Sequence, residues 1–279
     1  MTGTLWLVAT PIGNLADMAP RAIDTLATVS LICCEDTRRT GGLLNHLGIS
    51  GAPLAVCNEH TEHDLIERVI SQLADGDDIA VVSDAGTPGI SDPGERLVRA
   101  ALDAGHTVST IPGPSAAVAA LVISGLPTAR FVMEGFLPRK GAERRDRLAD
   151  IASEMRTIVL YEAPHRLVAT LSDLREVCGD ARQVSVSREL TKMYEQTIRG
   201  TLGTIDVGEP RGEYVIIVDG NQHVAREYGD DEIRQAIDNE LASGATRRDA
   251  AALVARRLGV SRRRAYDLGI KSATPTHER

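Results

Sequence analysis

Three loops rich in glycine and proline are the segments of this sequence best suited to chemistry. They are residues 9–15 (ATPIGNL), 83–94 (SDAGTPGISDPG) and 111–116 (IPGPSA), and each follows a short apolar run typical of a β-strand. Glycine lets a ligand approach the backbone closely, and proline stiffens the surrounding loop. Both residues also make ordinary turns. Three such loops in succession nevertheless predict a shared small-molecule site at the carboxyl edge of one sheet.

Several common cofactor-binding and catalytic motifs are missing from the sequence. No two of the 25 glycines are separated by a single residue, so the G-x-G-x-x-G dinucleotide fingerprint is absent. The sequence also has no G-x-x-x-x-G-K-[ST] phosphate loop and no G-x-S-x-G nucleophile elbow. The absence of the dinucleotide fingerprint argues against an ordinary NAD enzyme.

Two groups of charged residues allow both a functional and a structural interpretation. Segment 35–39 (EDTRR) follows a predicted strand, so its charges either lie beside the loop site or cap the next helix. The segment 59–64 contains His60 and His63 together with acidic residues, and all of these residue types can bind metals. A polar surface loop explains this composition better than a metal site does. We therefore expect no metal site.

Positive charge is concentrated in two segments of a chain whose net charge is −8. The first is residues 139–147. The second, residues 246–264, has seven Arg and one Asp, and its two helical patterns, capped by Thr246 and Ser261, resemble a helix-turn-helix. A solvated face would explain either cluster, but we favour nucleic-acid contact. The side chains expected to make it are Arg139, Lys140, Arg144, Arg247, Arg248, Arg262, Arg263 and Arg264.

Composition places the chain among soluble globular proteins. It has 279 residues, of which 43% are hydrophobic and 25% charged, enough for one large domain or two medium ones. No apolar run approaches the roughly 20 residues that span a bilayer, and no basic segment precedes the first apolar stretch. The four cysteines show no C-x-x-C pair. We expect a cytoplasmic protein with reduced, structural cysteines and no membrane partner.

The elements that must position the loops form an α/β pattern. Strand-like runs alternate with helical patterns, so most of the sheet is expected to be parallel. The predicted strands are 5–10, 29–34, 79–83, 107–111, 131–136, 157–161, 184–187 and 214–219, and the predicted helices are 62–74, 95–104, 115–124 and 165–177. Gly125 and Pro127 suggest a boundary. The predicted domains are 1–124 and 125–225, followed by a helical extension, 231–270, and a tail, 271–279.

The motifs ATPIGNL, CEDTRRT, SDAGTPGISDPG, IPGPSA, GFLPRKG, LYEAPHR and SREL-TK occur in the order found in one enzyme family. Over residues 4 to about 220 the chain resembles the bacterial 16S ribosomal RNA cytidine 2′-O-methyltransferases of the tetrapyrrole methylase superfamily. The helical end, with VSRRRAYDLGI, is similar to that family's C-terminal extension. Ala9 stands where the family usually has Gly.

The resemblance implies two α/β domains of the tetrapyrrole-methylase type, a small helix-turn-helix-like extension and a homodimer. It also implies S-adenosylmethionine as cofactor and cytidine 1402 of 16S RNA in the 30S subunit as target. A carboxylate at Asp84 can pair with the cofactor's ammonium group. The cofactor-binding residues implied by the resemblance are Pro11, Asp84, Gly86, Thr87, Ser115, Ala116 and Tyr161.

Methyl transfer to a ribose hydroxyl is an in-line displacement that needs positioning and a proton acceptor, but no metal. The candidate acceptors are Asp36, Glu162, Glu189 and Lys192, and the sequence does not distinguish among them. One alternative is a tetrapyrrole or diphthine methyltransferase of the same fold, which leaves the basic extension without a purpose. Another is a metabolite-sensing regulator whose helix-turn-helix binds duplex DNA.

Overall fold

The computed structural model of the chain describes residues 2–58, 61–221, 228–258 and 260–271. The chain divides after Asn221 into two compact units. The first unit contains two five-stranded sheets, and the second contains helices. No helix within the described ranges is long and apolar enough to cross a membrane.

The first sheet is parallel throughout. Its strands are β1 (Thr4–Val8), β2 (Leu31–Cys34), β3 (Leu54–Val56), β4 (Ile79–Val82) and β5 (Thr107–Ile111), in the order β3-β2-β4-β1-β5. Helices α1 (Pro20–Thr28) and α2 (Thr37–His46) pack on one face, and α3 (Glu62–Asp75) and α4 (Glu95–Asp103) pack on the other. Because helices cover both faces, the central strands β2 and β4 are buried at every residue.

The second sheet is mixed. Its strands are β6 (Phe131–Phe136), β7 (Thr157–Glu162), β8 (Gln183–Arg188), β9 (Gln196–Thr201) and β10 (Tyr214–Val218), in the order β6-β7-β10-β8-β9. Only the β6–β7 pair among these is parallel. Helices α6 (Ala142–Ser153) and α7 (Pro164–Cys178) pack on one face, and α5 (Ala116–Ile123) packs on the other.

The structure confirms the α/β class and corrects the expected sheet. A largely parallel arrangement holds for the first sheet but is wrong for the second. Seven residues separate β8 from β9, which is too short for the crossover that a parallel pair requires, so the two strands form an antiparallel pair. Strands β3 and β9 were not predicted, because one has three residues and the other is largely polar.

The predicted domain boundaries stay predictions. Both sheets belong to the same compact unit, and α5, from the predicted first domain, packs against β7 and β10 of the second sheet. The predicted tail lies outside the described residues from position 272 onward.

The second unit is helical, as predicted. It contains α8 (Asp230–Ala242), α9 (Arg247–Leu258) and α10 (Arg262–Lys271) around a small core that includes Ile233, Ile237 and Val254. Both predicted caps are present: the Asp249 N–H donates to Thr246 Oγ1 at 3.3 Å, and the Arg264 N–H donates to Ser261 Oγ at 3.1 Å. Gly259, the predicted break between α9 and α10, lies outside the described residues.

Candidate active site

The three glycine- and proline-rich loops meet at the carboxyl edge of the first sheet, as predicted. Thr10 and Gly86 exchange both backbone hydrogen bonds, at 2.9 and 3.0 Å. The Thr87 hydroxyl donates to the Pro114 carbonyl at 3.2 Å. These bonds join the first loop to the second and the second to the third, so their backbones form one continuous surface.

Close packing at glycine positions brings the loops together. Gly86 has φ +85°, and a Cβ atom there would lie 3.4 Å from Ile12. A Cβ atom on Gly113 would lie only 2.9 Å from the Cβ of Ala9. Ala9 therefore depends on a glycine at position 113.

A cleft of about 330 Å³ opens where these loops face the second sheet, a size typical of small-molecule sites. Its first-sheet wall is formed by Ile12, Glu35, Arg39, residues 84–87 and 90–92, Ser115 and Ala116, and its second-sheet wall by Phe136, residues 161–164, Leu190 and residues 213–215. Six of the seven predicted cofactor residues therefore line one cleft. Pro11 is the exception: it is buried behind the wall, and its neighbour Ile12 faces the cleft.

One wall of the cleft is acidic. A Glu35 carboxylate oxygen accepts the Asp84 N–H at 2.8 Å, and Asp84 Oδ2 lies 3.2 Å from the Arg39 guanidinium. The other oxygen of Asp84, Oδ1, is buried and has no hydrogen-bond partner in the described part of the chain. The Asp84 side chain, which is 24% exposed, lines the cleft beside Arg39, where a carboxylate can pair with a ligand's ammonium group.

Glu35 and Asp92 lie in segments that the sequence predicted to border the site, but neither was proposed as a catalytic or cofactor-binding residue. Burial raises the pKa of Asp92 to about 7, with further contributions from the charges of Glu35 and Asp84. Burial also raises the pKa of Glu35. Glu35 directly follows β2, next to β4 in the sheet, so the rule that ligands bind at the carboxyl edge was a signal for it.

Three of the four predicted proton acceptors lie outside the cleft lining. Asp36 caps α2, and hydrogen bonds from the Arg38 side chain and N–H lower its pKa to about 2. Burial alone would raise the pKa of Glu189, but hydrogen bonds from the Glu213 N–H and Lys192 hold it below its ordinary value. Burial alone would lower the pKa of Lys192, but the two carboxylates it contacts raise it. Lys192 therefore stays protonated at neutral pH.

The fourth, Glu162, lines the cleft, but its oxygens are occupied. Its side chain is 0% exposed and accepts hydrogen bonds from the Thr170 hydroxyl at 2.6 Å and the Ala163 N–H at 2.8 Å. The Arg166 guanidinium lies 3.4 Å away. These contacts attach the end of β7 to the first turns of α7, so Glu162 has a structural role.

Strained backbone is found beside the cleft. Ser91, Glu189 and Thr191 have φ values of +61°, +50° and +67°, which side-chain-bearing residues rarely adopt. Thr191 Oγ1 accepts the Asn14 N–H at 3.1 Å, so the loop after β8 rests on the first glycine loop. Strain at functional sites persists where surrounding contacts fix it, and both loops border the cleft.

The predicted RNA-contact residues differ in whether they already have partners within the protein. Exposed positions are Arg139, Lys140, Arg247, Arg248, Arg262, Arg263 and Arg264. Arg144 is only 12% exposed and donates to Asp173, Thr170 and the Pro138 carbonyl, so its guanidinium is already occupied. Arg264 is 45% exposed, but its guanidinium is bound to Asp230 and to the Tyr228 carbonyl within the second unit. These two arginines hold structure together, which the charge pattern alone did not reveal.

The region of the histidine pair has a structural role where it is described. Glu62 caps α4, as its Oε1 accepts N–H groups from Gly94, Arg96 and Leu97. Glu59 and His60 lie outside the described residues. Within the described ranges, no group of three or more His, Cys, Asp or Glu side chains is placed to hold a metal.

Comparison with known proteins defines the class first. Residues 4–206 match the family model of the Tetrapyrrole (Corrin/Porphyrin) Methylases. The fold is similar to the methyltransferase CobJ, with a TM-score of 0.61 at 21% identity over 82% of this chain and 98% of that one. It is also similar to uroporphyrin-III-C-methyltransferase from Thermus thermophilus, with a TM-score of 0.53 at 19% identity over 78% of this chain and 94% of that one. The chain is therefore a member of the tetrapyrrole methylases, and its fold is the one found in that class.

Curated relatives narrow the class to one family. Ribosomal RNA small subunit methyltransferase I of Synechocystis sp. is 46% identical over 274 residues, 96% of this chain and 98% of the relative. The protein of the same name from Xylella fastidiosa strain Temecula1 is 53% identical over 224 residues, 78% of this chain and 82% of the relative. The chain belongs to the ribosomal RNA small subunit methyltransferase I family.

Proposed function

We propose that this protein transfers a methyl group from S-adenosylmethionine to the ribose 2′-hydroxyl of a cytidine in 16S ribosomal RNA, and that this cytidine is the one at position 1402. The observation that carries the proposal is the match over 96% of the chain to a relative named for methylating small-subunit ribosomal RNA. The acidic cleft supports the choice of cofactor, because Glu35, Asp84 and Asp92 line one wall and suit a cationic ligand.

The cofactor would be held along the three joined loops. Asp84 would hold its ammonium group, and Gly86 and Thr87 would hold its methionine part. Ser115 and Ala116, at the start of α5, would hold its carboxylate, because the N–H groups at a helix start favour negative charge. When bound, S-adenosylmethionine supplies a methyl carbon activated by the adjacent sulfonium.

Catalysis by this chain consists of positioning and of accepting one proton. The cleft walls would orient the ribose hydroxyl toward the cofactor's methyl group, and such positioning supplies much of the rate acceleration in displacements of this kind. In the transfer, the new oxygen–carbon bond would form as the carbon–sulfur bond breaks, with the electron pair of that bond left on sulfur. We assign the hydroxyl proton to Asp92, because its carboxyl lines the cleft and its pKa of about 7 suits a base at neutral pH.

Exposed cations would hold the RNA. Arg139 and Lys140 lie in the loop after β6, which ends at the cleft, and the second unit carries Arg247, Arg248 and Arg262 in exposed positions. Arginine and lysine contacts to phosphates position an RNA without reading its sequence. The assembled 30S subunit is the proposed substrate, which places the enzyme in the cytoplasm.

We include a homodimer in the proposal. Helix α5 leaves Val118 and Val122 50% and 64% exposed, and a second copy of the chain would cover these apolar side chains. Sedimentation equilibrium at micromolar concentration tests this point, and a monomer would contradict it.

Transfer of label tests the function. The protein is incubated with S-adenosylmethionine labelled in its methyl group and, separately, with 30S subunits, naked 16S RNA, 50S subunits and a uroporphyrinoid. We expect label in the small-subunit RNA alone, with the assembled subunit the better substrate. Label in the uroporphyrinoid, or equal label in unrelated RNA, would overturn the proposal.

A further inference from the structure

Phe136 is an exposed aromatic residue at the edge of the cleft. The chain has only two phenylalanines, and Phe136 is 55% exposed. Its ring centroid lies 5.5 Å from that of Tyr161, with the ring planes tilted by 47°. Both rings line the cleft. Ligand clefts are lined predominantly by apolar and aromatic side chains, so these two rings fit a ligand contact.

A β-bulge directs Phe136 toward the cleft. Strand β6 has one extra residue between Met133 and Gly135, where its register with β7 shifts. The shift places Phe136 opposite Tyr161, on the cleft side of the sheet. Without it, Phe136 would lie opposite Glu162 and point into the core formed with α6 and α7, because a one-residue slip reverses side-chain direction.

Gly135 makes this bulge possible. Its φ of +70° is accessible to glycine at little cost. A Cβ atom there would lie 3.1 Å from the Ser91 hydroxyl, on the strained loop of the facing wall. The bulge is therefore fitted against the cleft's other wall.

The loop after this ring is held in place by two internal arginines. The Leu137 carbonyl accepts the Arg166 guanidinium at 2.6 Å. The Pro138 carbonyl accepts the Arg144 guanidinium at 2.9 Å. The exposed cations Arg139 and Lys140 follow directly, three and four residues after Phe136. Even along a fully extended chain, their Cα atoms lie no more than about 10 to 14 Å from the Cα of Phe136.

A ribose hydroxyl reaches a methyl group in an enclosed cleft only if its nucleotide leaves the RNA stack, which costs a few kcal/mol. Proteins that bind unstacked nucleotides combine an aromatic platform for the base with cations for the phosphates. The ring and the cations 139–140 supply both parts at one edge of the cleft.

The geometry points to Phe136 as the platform on which the base of the target nucleotide stacks while its ribose enters the cleft. This inference rests on the proposed function and adds the residue that receives the base. Tyr161, the other ring of the pair, would enclose the cofactor.

Three substitutions test the inference in the full-length protein. Phe136→Leu keeps an apolar side chain and removes the aromatic face, whereas Phe136→Tyr keeps that face. The matched control is Phe131→Leu, because Phe131 lies on the same face of β6, is 43% exposed and is not part of the cleft lining. The measurements are steady-state methylation of 30S subunits and calorimetric binding of S-adenosylmethionine.

We expect Phe136→Leu to lower kcat/KM for the subunit by about 5- to 150-fold, the loss of one base–aromatic stack, with cofactor affinity within about twofold. Phe136→Tyr should retain most of the activity, and Phe131→Leu should match the unaltered protein. Cofactor affinity reduced about tenfold by Phe136→Leu would assign the ring to adenine and overturn the inference. So would an unchanged kcat/KM. If the unaltered protein transfers no methyl to subunits, the proposed function fails, and this inference fails with it.

Discussion

Removal of the Glu62 carboxylate should destabilise the first sheet and loosen the cleft. Glu62 is 4% exposed, and its Oε1 accepts backbone N–H groups of Gly94, Arg96 and Leu97 at 3.1, 2.9 and 3.1 Å. These N–H groups begin α4 and end the loop that carries Asp92. Glu62 thus holds the second glycine loop from outside the cleft.

The magnitude follows from the groups left without a partner. In Glu62→Ala, water can reach the N–H of exposed Arg96, but those of buried Gly94 and Leu97 lose their acceptor. A buried unsatisfied group costs about 1 to 3 kcal/mol, so the free energy of unfolding should fall by about 2 to 6 kcal/mol. That is a large part of the roughly 5 to 15 kcal/mol of a typical domain. Glu62→Gln keeps a neutral acceptor and should lose less.

Urea unfolding followed by the fluorescence of Trp6 measures this loss. Trp6 is the only tryptophan and lies in β1, so its signal reports on the first sheet. Glu67→Ala is the control, since Glu67 is exposed on the same helix and its removal should cost at most about 0.5 kcal/mol. A Glu62→Ala protein as stable as the control would refute the reasoning.

Three further predictions concern the site. Because a base must be ionised, methylation should fall as pH drops below the pKa of Asp92, about 7. Asp92→Asn should remove that dependence and lower kcat by about 100-fold or more. A variant with the same pH profile as the unaltered protein would exclude Asp92 as the base. Replacing Arg139 and Lys140 by Ala should reduce the salt slope of subunit binding by about 1 to 2. The control, Arg99→Ala with Arg175→Ala, removes the same charge outside both basic segments, and an equal effect there would indicate non-specific attraction. A chain ending at Asn221 should keep its S-adenosylmethionine affinity, measured by calorimetry, and bind 30S subunits more weakly; undiminished subunit binding would remove the basic helices from the interface.

The sequence predicted the part of the site that local chemistry determines. The glycines and prolines of the three loops follow strands of one parallel sheet, so their convergence followed from topology alone. The caps at Thr246 and Ser261 were predictable for the same reason, since a cap depends on residues within one turn.

Other features depended on contacts between distant residues. Phe136 faces the cleft because of one extra residue, and Gly135 adopts its backbone conformation against Ser91 of the other wall. Arg144 resembled a surface cation, but its partners Asp173 and Thr170 come from a later helix. The pKa of Asp92 depends on burial that no local pattern records.

The central claim is that the methyl group goes to a ribose oxygen of a cytidine in the small subunit. The most direct test is to isolate 16S RNA from subunits treated with the protein and labelled S-adenosylmethionine, digest it to nucleosides and identify the labelled product by mass spectrometry. The account predicts 2′-O-methylcytidine as the labelled nucleoside. Label on a base, or on the ribose of another nucleoside, would contradict it.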